Sequence, residues 1–278
     1  MSYVKQLTLL NAITFLFAFL LSMLSQTSVL GWYQMADISA KYASGITPAS
    51  FTFSIWSVIY LALFMMVCYH AVQAFRKKEN YITNQEVLLM GRLFAVNQLA
   101  ISLWIYTWLN DMPGISLLLL LVQLYTLYLI DRRLHLLNPR KGKVSLFITQ
   151  MPMSLYFGWI TIATLANFAA WLASLGWLAH IQVDLYVSYA LLFVAVVIGA
   201  ITVYFKHNIF YGLVVLWAIY GIMMRHFDAG DEAFQSLIYL GVFGMVIILL
   251  TIIKTATVYA SLKEKPFRPK KRQRSYSG

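Results

Sequence analysis

Long apolar runs separated by short polar breaks dominate the chain, and each run has the length of a bilayer crossing. They occupy residues 9–31, 51–74, 89–109, 114–130, 148–175, 185–205, 209–224 and 234–259. A helix needs about 20 residues to cross the ~30 Å hydrocarbon layer, and a run as short as 209–224 fits with local thinning of the bilayer. The runs are continuously apolar and lack the strict alternation of barrel strands. The pattern predicts an all-α polytopic membrane protein with about eight transmembrane helices. The first run follows Lys5, as a signal core would. It is longer than such a core and is followed by no convincing small-x-small cleavage site, so it reads as a retained span.

Composition sharpens this picture. Hydrophobic residues fill 61% of the 278 positions and charged residues 11%, against about a quarter charged in soluble domains. Lipid must therefore be part of the solvent. The single cysteine, Cys68, excludes an internal disulfide and a cysteine-based metal cluster; it reads as a small buried apolar residue.

Charge supplies an orientation. With eight spans both termini share one side, and that side collects every Lys and Arg of the chain except Lys41 and Arg225. The positive-inside rule then puts both termini in the cytoplasm, in a multi-pass protein of the cell membrane. The net charge of +11 is on this reading a topology signal and implies no nucleic-acid partner. Past Tyr259 the chain turns polar, basic and Pro-containing, which predicts a disordered tail over 261–278. Its seven basic residues between Lys263 and Arg274 suit anionic lipid. The outer loop from Trp32 to Ser50 is long, and serves either as the cover of a cavity or as a plain connector. No internal repeat supports an inverted-repeat transporter.

The spans hold little that titrates. Arg92, Lys254, His70 and Asp131 fall near helix ends, where they reach water by snorkelling. No span has a central Asp or Glu, no hydrolase or phosphate-binding motif occurs, and the five histidines are scattered singly. Catalysis is left without an evident acid, base or metal, and no cofactor is required. What the spans do hold is aromatic and amide chemistry. Tyr156, Trp159, Ala163 and Asn167 follow spacings of one helical face. Phe53, Trp56 and Tyr60 do the same on the second span. Gln98, Ser102 and Ile105 share a face of the third, with Trp104 and Trp108 beside it. Two readings stand side by side: helix packing with interfacial anchoring, or the lining of a ligand pocket. Trp32, Trp171 and Trp177 suit the interfacial reading.

Four short stretches resemble the TspO/MBR family, the tryptophan-rich sensory proteins related to the mitochondrial translocator protein. "TPASFTFSIWSVIY" resembles its second helix through Pro48, Trp56 and Tyr60. Trp32-Tyr33 resembles the Trp-Tyr after its first helix. "NQLAISLW" resembles its third-helix motif through Gln98, Leu99 and Ala100, and "MSLYFGWITIATLAN" its fifth helix through Trp159, Ala163, Thr164 and Asn167. Departures are Ser50 and Ser102 in place of a Trp and an Asn, Trp104 displaced by one position, and Pro152 further from its Trp than usual. The resemblance covers residues 1–178. It implies a five-helix bundle there, followed by a three-helix extension over 179–260.

The resemblance also implies a pocket for a flat hydrophobic ligand, a porphyrin or other tetrapyrrole, or a sterol. Trp56, Tyr60, Tyr156 and Trp159 would offer faces, Ala163 clearance, and Gln98 and Asn167 polar contacts, with Trp32 and Pro48 in the covering loop. The expected role is binding or sensing such a ligand. The alternatives are its transport, or a non-catalytic membrane protein that docks a partner. Homodimerisation stays open, and oxidative breakdown of a porphyrin rests on analogy alone.

Overall fold

The computed structural model describes residues 1–25, 33–137 and 142–264, with side chains through residue 257. Among the described residues seven helices are long and apolar enough to cross a membrane, and a bent pair, counted as one span, brings the number to eight. Large apolar side chains such as Leu20, Leu61, Leu118 and Phe193 point outward, as a lipid-facing surface demands. The protein is an all-α polytopic membrane protein.

Helix α1 (Tyr3–Leu24) buries Val4, Leu7, Asn11, Phe15 and Ala18 along one stripe. Its Thr8 and Thr14 hydroxyls donate to the carbonyls of Val4 and Leu10 at 2.8 and 2.9 Å, so neither is left unpaired in a dry interior. A short helix α2 (Met35–Lys41) and a 3₁₀ turn (Ser50–Ser54) lead into α3 (Ile55–Arg76). On α3, Cys68 is exposed, which corrects the expectation of a buried thiol; its neighbours Met66 and Val67 take the inward positions instead.

The third crossing departs most from expectation. It is built of α4 (Ile82–Met90) and α5 (Leu93–Leu109), bent by 58°, and starts well before residue 89. Hydropathy misses α4 because its buried face carries Thr83, Asn84 and Glu86. Asn84 Nδ2 donates to the Lys78 carbonyl at 3.0 Å, satisfying backbone just past the end of α3. The break falls at Gly91, whose φ of 55° and ψ of −135° lie in a region that side chains with a Cβ avoid.

Helix α6 (Pro113–Leu134) begins on a proline, where a missing N–H costs nothing. The fifth crossing opens with a single helical turn, α7 (Lys143–Ser145), passes through a π turn (Leu146–Gln150) and continues as α8 (Met151–Ser174). Pro152 explains the π turn: its ring cannot sit against the carbonyl four residues back in an ordinary α-helix.

Three further helices follow: α9 (Ile181–Lys206), α10 (Ile209–Ala229) and α11 (Gln235–Glu264). His207 in the left-handed region ends α9, and Asn208 Oδ1 caps α10 by accepting from Tyr211 N at 3.1 Å. Helix α10 packs against α8, α9 and α11. The Tyr211 hydroxyl donates to Thr161 Oγ1 on α8 at 2.8 Å, and Phe157 meets the Tyr211 ring edge-on at 5.4 Å. An ion pair of Lys206 with Asp131, at 3.1 Å, joins the ends of α9 and α6.

Candidate ligand cavity

A cavity of about 1170 Å³ lies between α1, α3, α5 and α8, under α2 and residues 42–50. Its walls are aromatic. Trp56 stands edge-on to Trp159 at 6.1 Å, and Phe53 meets Trp159 the same way at 6.1 Å. Trp56 stacks on Tyr60 at 5.3 Å and 27°. Across the space, Trp104 and Trp108 stack at 6.1 Å and 20°. The hydroxyl-bearing residues Ser39, Thr47, Ser50, Ser54 and Ser57 border the roofed end. Outward-facing Met23, Leu61 and Phe64 also line the cavity, so it reaches the lipid-facing surface beside α1 and α3.

Of the residues singled out by sequence, Pro48, Trp56, Tyr60, Trp159, Ala163 and Asn167 line this space. Their common origin is helical spacing: four residues separate Trp56 from Tyr60, Trp159 from Ala163, and Ala163 from Asn167, which keeps each set on one face. Trp159 is 2% exposed, and its indole N–H finds no acceptor among the described residues. An unpaired buried donor costs on the order of 1–3 kcal/mol, so an acceptor brought by a ligand would be stabilised there. Asn167 Oδ1 accepts from Trp104 Nε1 at 3.2 Å.

Two residues do not belong. Gln98 and Tyr156 lie off the cavity, in a polar seam between α5, α6 and α8. The Tyr156 hydroxyl donates to Asn97 Oδ1 at 2.7 Å. Asn97 Nδ2 donates in turn to Thr126 Oγ1 at 2.8 Å and the Gln123 carbonyl at 3.0 Å. Gln98 is 1% exposed and its side chain points to Asn97 Oδ1 at 3.4 Å. Buried amides seek one another where lipid offers no partner, and this seam takes up both side chains. Trp32 lies outside the described residues. Trp171 and Trp177 do not line the cavity; Trp171 packs on Phe168 at 6.0 Å and Trp177 is exposed.

Sequence reasoning placed Trp104 and Trp108 only beside the relevant face, although their four-residue spacing marks a stripe of their own. It also took Arg225 as a mere exception to the charge segregation. Arg225 lines the cavity, and it is the only charged residue among the described lining residues.

The roof is held from two sides. Ile38 of α2 is buried against Trp108 and Ala170. Lys41 pairs with Asp111, and Trp108 Nε1 donates to the Met35 carbonyl at 3.4 Å. Hydrogen bonds that it donates to Asp111 and Tyr42 raise the Lys41 ammonium above its ordinary value. Burial pushes the Asp111 carboxyl up, but hydrogen bonds from Lys41 and Tyr42 outweigh it and leave the group below its usual range. From the other side, Gly45 N–H donates to the Asp184 carboxylate at 3.0 Å, and His226 Nε2 donates to the Gly45 carbonyl at 2.7 Å. Arg225 Nη1 donates to the carbonyls of Ser44 and Thr47 at 2.8 and 3.0 Å. Ala49 N–H donates to Gly221 O at 3.0 Å, and Trp217 Nε1 to Thr52 O at 2.9 Å. A Cβ at Gly221 would collide with the Thr52 side chain, so α10 and the turn below the roof touch through backbone.

Fold and cavity together define a polytopic helical membrane protein with an intramembrane aromatic chamber. The family model for TSPO-like proteins matches residues 8–254, and the chain belongs to that family. The match runs on through the last three helices. No curated protein and no solved structure matches the chain.

Proposed function

We propose that this TSPO-like membrane protein binds a flat apolar ligand of tetrapyrrole or sterol size in the chamber between α3, α5 and α8. The observation that carries the reading is Trp159: a buried indole set between Trp56 and Phe53, lining a large cavity, with its N–H unpaired among the described residues. Aromatic walls offer stacking faces to a planar ligand. The volume slightly exceeds the several hundred Å³ typical of sites for drug-sized molecules, which suits a larger planar body. Ala163 gives clearance on the α8 wall, and Asn167 supplies amide polarity beside it. The charge segregation along the chain supports placing both termini in the cytoplasm, with the basic tail against anionic lipid.

The test is a titration of the purified protein in phosphatidylcholine nanodiscs with protoporphyrin IX, followed by tryptophan fluorescence. Saturable quenching of a fraction of the emission, at one porphyrin per chain, is the expected outcome. Quenching that grows linearly with added porphyrin and does not saturate is partition into lipid, and removes the reading.

A further inference from the structure

Arg225 is more than a strut of the roof. A guanidinium has five N–H donors in a fixed fork. Nη1 is occupied by the carbonyls of Ser44 and Thr47, while Nε and Nη2 make no hydrogen bond among the described residues. Two carboxylates contribute to its electrostatic surroundings, and both are committed elsewhere. Asp184 accepts from Gly45 N–H at 3.0 and 3.1 Å and from Ser188 Oγ at 3.1 Å. Asp231 faces His226 Nδ1 at 3.3 Å. Neither lines the cavity, and neither comes within ion-pairing distance of the guanidinium among the described residues. Among the described residues the chamber therefore presents to its contents one cation and no anion. A cation facing a poorly hydrated cavity is costly unless an opposite charge meets it, and a guanidinium fork fits a planar oxyanion in a bidentate fashion.

We propose that Arg225, brought to the cavity by α10, recognises an acidic group on the ligand, so that the chamber selects flat apolar molecules carrying a carboxylate or a similar oxyanion at the edge facing the roof. This inference rests on the ligand-binding reading above and adds its chemical class. It also gives two of the last three helices a role in recognition: α9 and α10 hold residues 44–49 in place, and α10 supplies the charge. Ala163 and Trp159 set shape; Arg225 sets charge.

The experiment compares protoporphyrin IX with its dimethyl ester, which has the same ring and no charge, in phosphatidylcholine nanodiscs. Dissociation constants are measured for the parent, Arg225→Gln and Arg225→Lys. Glutamine still donates toward the roof carbonyls but carries no charge; lysine keeps the charge without the fork. The expected result for Arg225→Gln is a loss of about ten- to a hundredfold in affinity for the acid, with the ester unchanged. Lys should recover part of the loss. Ester binding also reports that each variant remains folded. Equal weakening of acid and ester by Arg225→Gln would make Arg225 a roof strut only and overturn the inference, while the ligand reading stands. Failure of both the acid and the ester to bind the parent would bring down both readings. Phosphatidylglycerol in the nanodiscs should leave the acid preference intact; its disappearance there would assign the guanidinium to a lipid headgroup and overturn the inference as well.

Discussion

Trp159 shows how a single side chain carries two opposed demands. Its ring is anchored by Phe53 and Trp56, yet its N–H has no partner among the described residues. Trp159→Phe removes the unpaired donor and keeps an aromatic body, so thermal stability of the ligand-free protein should hold or rise slightly, while porphyrin binding weakens. Trp159→Leu removes the stacking face too, worth about 0.5–1.5 kcal/mol beyond area burial, or a roughly two- to twelvefold higher dissociation constant. Fluorescence titration beside a melting curve separates the two effects. Tyr156 behaves differently, because its hydroxyl serves the seam with Asn97. Tyr156→Phe should cost about 1–3 kcal/mol of stability and leave the porphyrin constant nearly unchanged; a large binding loss without a stability loss would move Tyr156 back to the cavity.

At the scale of elements, two joints are exposed to test. Gly91 sits at the 58° break with a positive φ. A Cβ there meets no close atom, so the penalty of Gly91→Ala is backbone strain alone, of order 1–3 kcal/mol, readable as a lowered melting temperature. The second joint is α2. Asp111 has its carboxyl held below the usual range by Lys41 and Tyr42, so its contribution to the clamp is complete above the ordinary carboxylate value. It fades as pH falls through the lowered folded value. Amide protection in residues 35–41, corrected for intrinsic exchange, should fall in acid for the parent, and be low and nearly independent of acid pH in Asp111→Asn. How much of this was legible in the sequence follows from the same physics. The spans declared themselves because an apolar run of that length has one solvent. The start of the third crossing did not, because Thr83, Asn84 and Glu86 are buried by partners on other helices that hydropathy cannot see. Trp56, Tyr60, Trp159, Ala163 and Asn167 could be grouped from sequence because spacing on one helix fixes one face, and they share the cavity wall. Gln98 entered the same group by motif and Tyr156 by the same helical spacing, yet the seam to Asn97 and Gln123 depends on how α5, α6 and α8 meet. Arg225 stood in plain view as a charge on the wrong side, without a local signal that α10 would carry it over the chamber.

On the scale of the whole molecule, the proposed orientation, with eight crossings and both termini in the cytoplasm, is open to direct test. In a Cys68→Ala background, a cysteine at Asp37 should react with an impermeant thiol reagent in intact cells, and one at Lys141 or Arg272 should not. Labelling at Arg272 from outside would contradict the eight-crossing orientation. The chamber is the other molecular claim, and Ala163 tests it most directly. Ala163 lines the cavity on α8, one turn from both Trp159 and Asn167. Ala163→Phe places a ring in the open space without removing any wall contact. The measurement is the porphyrin dissociation constant of that variant against the parent, in the same nanodiscs, with Trp171→Phe as a control away from the cavity. The account predicts a loss of more than tenfold for Ala163→Phe, at unchanged melting temperature, and none for Trp171→Phe. Binding by a folded Ala163→Phe protein with the parent's affinity would contradict it and leave the aromatic stripe as packing.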